Sequence, residues 1–522
     1  MKLHIIKVLA GNEVRVRLRR LSTLVTIFSV IVLSWMMVPA PDSGMSLISL
    51  NDARVLNTSS ALAFGTASLA AIIFGLGSFY LTRGRVSEDM RSGVGSVIAA
   101  SQISNGLFLA ARWIGGVVYM LALTGALLGT TLVLHLIRGD GPIEITVYLQ
   151  IYTLLLIPMI FFGVSCATLF DSFSFLMGKA GDVLFFFLWM FQIALMAAFD
   201  DNSGTMSVSS LMLLDFTGLG AGIVTMQQLV HSSNLSIGIS EYNKALPAIT
   251  LPQIVWPIQV VFARMGSALL AMLPLLPAIW KFHRYSPDRV KISAARSRRS
   301  PIVILNGWLR PLSRLVKPLF YLAAKIPGMA GQVLADIALT LVTSPLAIVM
   351  LLFFALAALI VDSSRLPVLL IAAVVYWGIL VSDMSTRDYA ANAEDITGTA
   401  RGGKTQRFLR QLLATNALGF MFMGVMALRW SFDQPTRAAA LISGIIFLSA
   451  LSSAFGRFSR TPRTFIALFL FAIYIALNGR NIAVMDIVGF NGSANIGSIT
   501  TQIIIAAAAI VAGYFYNHQQ AK

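Results

Sequence analysis

The sequence predicts an all-α polytopic membrane protein with about twelve transmembrane helices, arranged as two parallel pseudo-repeats of six. Apolar residues make up 57% of its 522 positions, and mean hydropathy is +0.79. These residues gather in twelve stretches, each near the roughly 17–25 residues that cross a bilayer as helix. A basic stretch from Lys281 to Lys325 separates six of them from the other six.

In the first half the stretches run 21–39, 61–82, 107–137, 147–170, 183–199 and 255–280. In the second they run 345–361, 367–382, 408–428, 437–455, 464–478 and 499–516. The predicted division is therefore 1–280 as a first six-span half with an N-terminal interfacial helix, 281–329 as a basic cytoplasmic linker, and 330–522 as a second half. Residues 1–20 alternate Leu3, Ile5, Ile6, Val8 and Leu9 with Lys2, Lys7, Arg15, Arg17, Arg19 and Arg20. That pattern suits a helix in the headgroup layer, where apolar burial and attraction to anionic lipid add. Residues 326–343 are expected to do the same before the seventh span. The connection 200–254 carries apolar patches at Leu211–Leu214 and Ile223–Met226, which predict short helices dipping toward the membrane.

Of the 39 Lys and Arg, 30 fall in alternate connections, so both termini are expected to be cytoplasmic. The net charge of +17 is thus an orientation signal, and nucleic acid is not an expected partner. An even number of spans per half gives both halves the same orientation, as parallel repeats have. The loops Ser87-Glu88-Asp89-Met90 and Thr386-Arg387-Asp388-Tyr389 occupy the same place in the two halves. With one cysteine, Cys166, no intrachain disulfide or cysteine-cluster metal site can form. No cleavable signal peptide is expected, because the first apolar stretch follows polar residues and no small-residue site closes it.

Connections this short leave no room for a separate catalytic domain. Gly398 to Thr405 spells G-T-A-R-G-G-K-T, the letters of a phosphate-binding loop. That loop works between a buried strand and a helix, and the polar residues Asn392 to Thr397 supply no such strand. The match is read as accidental, with no nucleotide or metal bound by this chain. Arg112, a turn into the third span, is expected to snorkel to the surface. Arg264 either lies inside the sixth span, where an Arg costs at least about 2.5–3.5 kcal/mol and must find partners, or precedes that span. Pro274 and Pro277 are expected to kink or end it. Gly75 and Gly77 in the second span allow close helix packing. No carboxylate sits at the centre of a span, which disfavours an ion-coupled carrier.

The chain resembles the membrane subunits of type-2 ABC exporters, the ABC-2 permease family. The resemblance lies in the amphipathic N-terminal segment, six spans per half, the segment before the sixth span and the loop Arg83 to Asn105. In that loop an acidic residue and a Gly precede a short helix, with Gln102 where the family usually has Pro. The second-half loop keeps Asp388 and departs elsewhere. What the resemblance implies is a fused permease coupled to two copies of a cytoplasmic ABC ATPase, which would carry the ATP and Mg, in a bacterial inner membrane with anionic lipids around it. The residues implied to couple are Glu88, Asp89, Arg91 and Gly93, with Arg387, Asp388, Tyr389 and Glu394. By the same analogy Gly75, Ser78, Gln192, Arg264, Tyr376 and Tyr474 lie along the pathway. The expected cargo is amphipathic, lipid-like or peptide. The alternatives are a twelve-span ion-coupled carrier and, less favoured by its dispersed polar residues in 200–254, a transferase acting on lipid-linked sugars.

Overall fold

The computed structural model describes residues 2–519 apart from 41–42, 174, 197–209, 231–234, 255, 284, 286–300, 400–402 and 479–482. The chain is a multi-pass helical membrane protein. Among the described residues seven helices are long and apolar enough to cross a membrane, or up to nine if two sharply bent helix pairs each count as one span. Every predicted stretch falls on a helix, but several of these helices stop short of span length. The chain divides into two compact units, Met1–Ala294 and Ala295–Lys522.

The first unit begins with α1 (Lys2–Leu18) and α2 (Leu21–Met37), then a hairpin of β1 (Met45–Leu50) and β2 (Ala53–Arg54). It continues through α3 (Ser59–Thr82), the short pair α4 (Arg85–Arg91) and α5 (Val94–Ala100), and α6 (Asn105–Arg138). Next come α7 (Ile145–Ser172), α8 (Lys179–Ala194), α9 (Ser210–Leu214), α10 (Leu219–Val230), β3 (Leu235–Glu241), α11 (Ile258–Leu270) and α12 (Leu275–Lys281). α3 is the core helix, buried on nearly every side because its Ala, Gly and Ser residues admit neighbours closely. A Cβ on Gly75 would stand 2.5 Å from Met159 Cε and 3.0 Å from Trp189 Cδ1. At 34 residues α6 is about 51 Å long, so it overshoots a hydrocarbon core of about 30 Å and carries polar residues beyond it.

A sheet of order β2-β1-β3 is the main departure from the predicted all-helical architecture. β1 pairs antiparallel with β3, joining Met45 to Glu241 and Leu50 to Leu235. Asn51 and Asp52, with φ of 48° and 61°, turn β1 into β2, the left-handed pair that two-residue hairpins require. The predicted short helices in 200–254 are α9 and α10, within the described part of that connection. Its strand was not anticipated. α11 ends at Leu270 and α12 starts after Pro274, which confirms the predicted break.

The second unit starts with α13 (Pro301–Trp308), a 3-10 segment Arg310–Val316, α14 (Lys317–Lys325) and α15 (Gly328–Thr343). Helices α16 (Leu346–Ile360) and α17 (Leu366–Val381) precede the short pair α18 (Arg387–Ala390) and α19 (Glu394–Gly398). Then follow α20 (Gly403–Asp433), α21 (Pro435–Ser459), α22 (Arg463–Asn478), a 3-10 turn Ala483–Met485 and α23 (Ile496–Gln519). α15 meets α16 at 103°, and α21 packs between α20 and α23. Residues 301–325, read from sequence as linker, are thus largely helical.

Candidate functional site

Each unit gathers charged side chains at one end, around its pair of short helices. In the first unit the chain leaves α3 through Gly84, whose φ of 93° starts α4, and Gly93 at φ 76° separates α4 from α5. This turn presents Arg85, Glu88 and Asp89 to α1 and α6. Glu13 of α1 accepts from Arg17 at 2.8 Å and from Arg85 at 2.9 and 3.2 Å. Arg17 also donates to the carbonyls of Leu81 and Thr82 at 3.1 and 3.0 Å, which ties α1 to the end of α3. Burial alone would push the Glu13 carboxyl up, but Arg17, Arg85 and Arg112 overrule it and hold it below its ordinary value. Glu88 accepts from Arg85 at 2.5 Å and from Arg20.

Asp89, 6% exposed, is the buried member of the pair. Its Oδ2 accepts from the guanidinium of Arg112 on α6 and, at 2.5 Å, from the hydroxyl of Tyr285 just beyond α12. Burial pushes the Tyr285 hydroxyl far up, so it stays a donor at any physiological pH. Arg112 therefore does not snorkel as predicted. Its side chain is 12% exposed and turned inward, because Asp89 offers a charge-assisted bond that water would otherwise have to replace. Behind this cluster Arg83 pairs with Asp182 of α8 and lies 3.7 Å from Asp171 of α7. Its guanidinium sits over the rings of Phe79 and Phe170, at 4.9 and 5.6 Å. α3, α7 and α8 are thereby locked at the same end.

The second unit solves the same problem with other residues. Glu394 Oε1 accepts from Arg407 of α20 and from Arg457 of α21, both at 3.2 Å. Arg407 also lies 3.4 Å from Asp388. Arg457 Nε donates to Asn517 Oδ1 of α23 at 3.0 Å. Arg410 pairs with Asp336 of α15 at 2.7 Å, and Arg387 donates to Thr340 of α15 at 2.9 Å. The Arg460 guanidinium stands 5.1 Å from the centre of the Tyr389 ring.

The predicted coupling residues are thus brought together within each unit: Glu88 and Asp89 in the first, and Arg387, Asp388, Tyr389 and Glu394 in the second. Arg91 is exposed on α4, and Gly93 serves the turn. The predicted pathway residues each have local partners. Gly75 is a packing contact, and Ser78 donates to the Gly75 carbonyl at 3.1 Å. Gln192 accepts from the Phe216 amide at 3.1 Å. Arg264 lies within α11 and is 2% exposed, so the first of its two predicted placements holds. It donates to the carbonyls of Leu154 at 2.9 Å, Phe216 at 3.1 Å and Asp215. Tyr376 packs between Phe354 and Phe422, and Tyr474 is half-buried on α22.

Residues that sequence reasoning missed are Glu13, Arg85, Tyr285, Arg407, Arg410, Asp336 and Arg457. One signal could have found one of them, Arg410. The spacing that carries Asp89 onto Asp388 also carries Arg112 onto Arg410 to within one residue. Helix α19 stands where the phosphate-loop motif needs a strand, and residues 400–402 of the motif lie outside the described part. Among the described residues no group of His, Cys, Asp and Glu could hold a metal. Comparison with family models, with curated proteins and with solved structures finds no match to this chain.

Proposed function

We propose that the chain is the permease of an ATP-driven exporter of the ABC-2 type, two six-span units on one polypeptide, driven by two copies of a separate cytoplasmic ATPase. One observation carries this reading. In each unit a pair of short helices follows the second apolar helix and is tethered by a carboxylate, buried in the first unit and half-buried in the second, to the long third helix and to the end of the last one. Asp89 makes the tether through Arg112 and Tyr285. Glu394 makes it through Arg407 and through Arg457, which holds Asn517. A push on either pair is then delivered to distant helices through ion pairs, where a free loop would absorb it.

The repeat is supported by the shared order of elements: an acid-bearing helix before the first span, a second span, two short helices, a long third helix of 34 or 31 residues, and a fifth of 16. Both pairs offer apolar side chains at their tips, Val94 and Val97 (69% exposed) in the first unit and Ile396 (76%) in the second. Those residues suit clefts on ATPase subunits. The cargo class remains the amphipathic, lipid-like or peptide one, in a bacterial inner membrane.

The test is co-purification with a cytoplasmic ABC ATPase co-expressed from the same organism, using Val97→Asp and Ile396→Asp. Both side chains are exposed, so folding and Tm stay as in the wild type. The expected result is loss of the complex and a drop of at least about tenfold in permease-stimulated ATP hydrolysis. Wild-type stimulation in both variants, or uptake driven by a pH gradient in vesicles without ATPase, would overturn the reading.

A further inference from the structure

Residues 301–325 carry a pattern that the transport reading does not use. Trp308 is 77% exposed, Tyr321 67% and Leu315 64%, with Phe320 and Leu322 beside them. Interleaved are Arg310, Arg314, Lys317 and Lys325, all exposed, and no Asp or Glu occurs between Pro301 and Asp336. Lys325 Nζ lies over the Tyr321 ring, 4.4 Å from its centroid, so the basic and aromatic side chains share one exposed face. A water-facing linker has no reason to expose such a set of large apolar side chains.

A hydrogen bond ties this segment to the start of α16. The amide of Leu346, the first residue of α16, donates to Asn306 Oδ1 of α13 at 3.0 Å. α16 reads LAIVMLLFFALAALI, without one polar side chain, so its first residue marks the edge of the hydrocarbon. Asn306 therefore sits at that edge. α15 leaves α16 at 103°, and both α14 and the 3-10 segment pack on α15. Elements that cross a span at such an angle run along the membrane plane. The same pairing of chemistry closes the first unit, where Lys281 Nζ lies 4.0 Å from the centre of the exposed Trp280 ring.

We infer that Pro301–Lys325 is a membrane-surface anchor: Trp308, Leu315 and Tyr321 enter the interface, and Arg310, Arg314, Lys317 and Lys325 hold the phosphates of anionic lipid. Apolar insertion and charge attraction add in such elements, and each basic residue near an anionic surface strengthens binding about fivefold. This inference needs membrane insertion only, not an ATPase, so it can fail while the permease reading stands.

The test uses the full chain in lipid nanodiscs, with Cys166→Ala removing the native thiol and Tyr321→Cys carrying an environment-sensitive fluorophore. Trp308→Cys provides a second, independent site. With phosphatidylglycerol present, brominated acyl chains should quench either probe several-fold more than they quench the same probe at Asp395→Cys. In pure phosphatidylcholine, or in the variant R310Q/R314Q/K317Q/K325Q, that difference should shrink, and native mass spectra should show less bound phosphatidylglycerol. Probes at 308 and 321 that escape quenching and react with an impermeant maleimide as fast as the one at 395, whatever the lipid, would overturn the inference and leave the face to a protein partner.

Discussion

At the residue scale, two arginines show how a charge is tolerated among apolar helices. Arg264 donates to three carbonyls of the turn that precedes α10 and of α7. The Asp215 carboxylate in that turn accepts from the amides of Gly218 and Ala221 at 2.9 and 3.2 Å. Arg437 and Asp486 repeat the device in the second unit: the guanidinium binds the Gly489 and Phe490 carbonyls, and the carboxylate takes the Asn491, Ser493 and Ala494 amides. Arg264→Ala strips the turn of its donors and should cost about 3–5 kcal/mol. Arg264→Lys should rescue little of this, since one ammonium cannot serve carbonyls that a planar fork reaches together. The measurement is Tm in detergent with amide exchange over 216–222, and a Lys variant as stable as the wild type would refute the account. Sequence alone flagged Arg264 because a charge in an apolar run is conspicuous. Its partners were invisible, because backbone carbonyls carry no residue code.

Glu13 was hidden for the opposite reason, lying on a helix whose basic residues all read as lipid-facing. Its depressed folded value fixes the sign of a pH effect: the stability it supplies is present above the ordinary glutamate value of 4.5 and is lost as pH falls through the folded value. The Tm gap between wild type and Glu13→Gln should therefore be full at pH 7 and should close only below that range. A gap that stays constant down to acid unfolding would show that the three arginines do not hold this carboxylate.

At the element scale, the helices were legible because each is a long apolar run, whereas β1 and β3 were not. Met-Ser-Leu-Ile-Ser-Leu is six residues of the composition that fills the neighbouring helices, and only the Asn51-Asp52 turn distinguishes it. The short pair α4–α5 was legible as a charged loop, but its geometry depends on two glycines with different duties. Gly93 has φ +76° and open space around a would-be Cβ, so Gly93→Ala should cost about 1 kcal/mol of local strain and little else. Gly95 has ordinary helical geometry, but a Cβ there would meet the Tyr285 ring at 2.8 Å. Gly95→Ala should thus displace Tyr285 from Asp89 and weaken the tether to α12. Protection of residues 85–100 in amide exchange should fall more in Gly95→Ala than in Gly93→Ala; the reverse order would mean that the Tyr285 contact does not secure the pair.

At the scale of the whole molecule, helix length and helix connection bear on how many helices cross. Length admits seven, since α17 and α22 have 16 residues each, about 24 Å, and α16 has 15. Yet the hydrogen bonds of the second unit carry these helices from one end to the other. At the end bearing Glu394, Arg407 and Arg457, α20 begins and α21 and α23 finish. At the opposite end Arg429 of α20 donates to the Ala358 and Val361 carbonyls at 2.6 Å, where α16 finishes and α17 is about to start. There too Asn491 donates to the Ala476 carbonyl of α22 at 2.7 Å, and Arg437 of α21 holds the turn that leads to α23. A short helix that joins both ends of a unit can cross if the bilayer thins around it, at a fraction of a kcal/mol for each ångström of mismatch. The proposed six-span reading of the unit makes a definite labelling pattern the expected outcome. In intact cells carrying Cys166→Ala, an impermeant maleimide should modify Lys244→Cys and Asp433→Cys but not Asp395→Cys or His518→Cys, and permeabilisation should expose the latter two. If 395 and 433 label alike in intact cells, α20 does not cross, and the six-span unit falls with it.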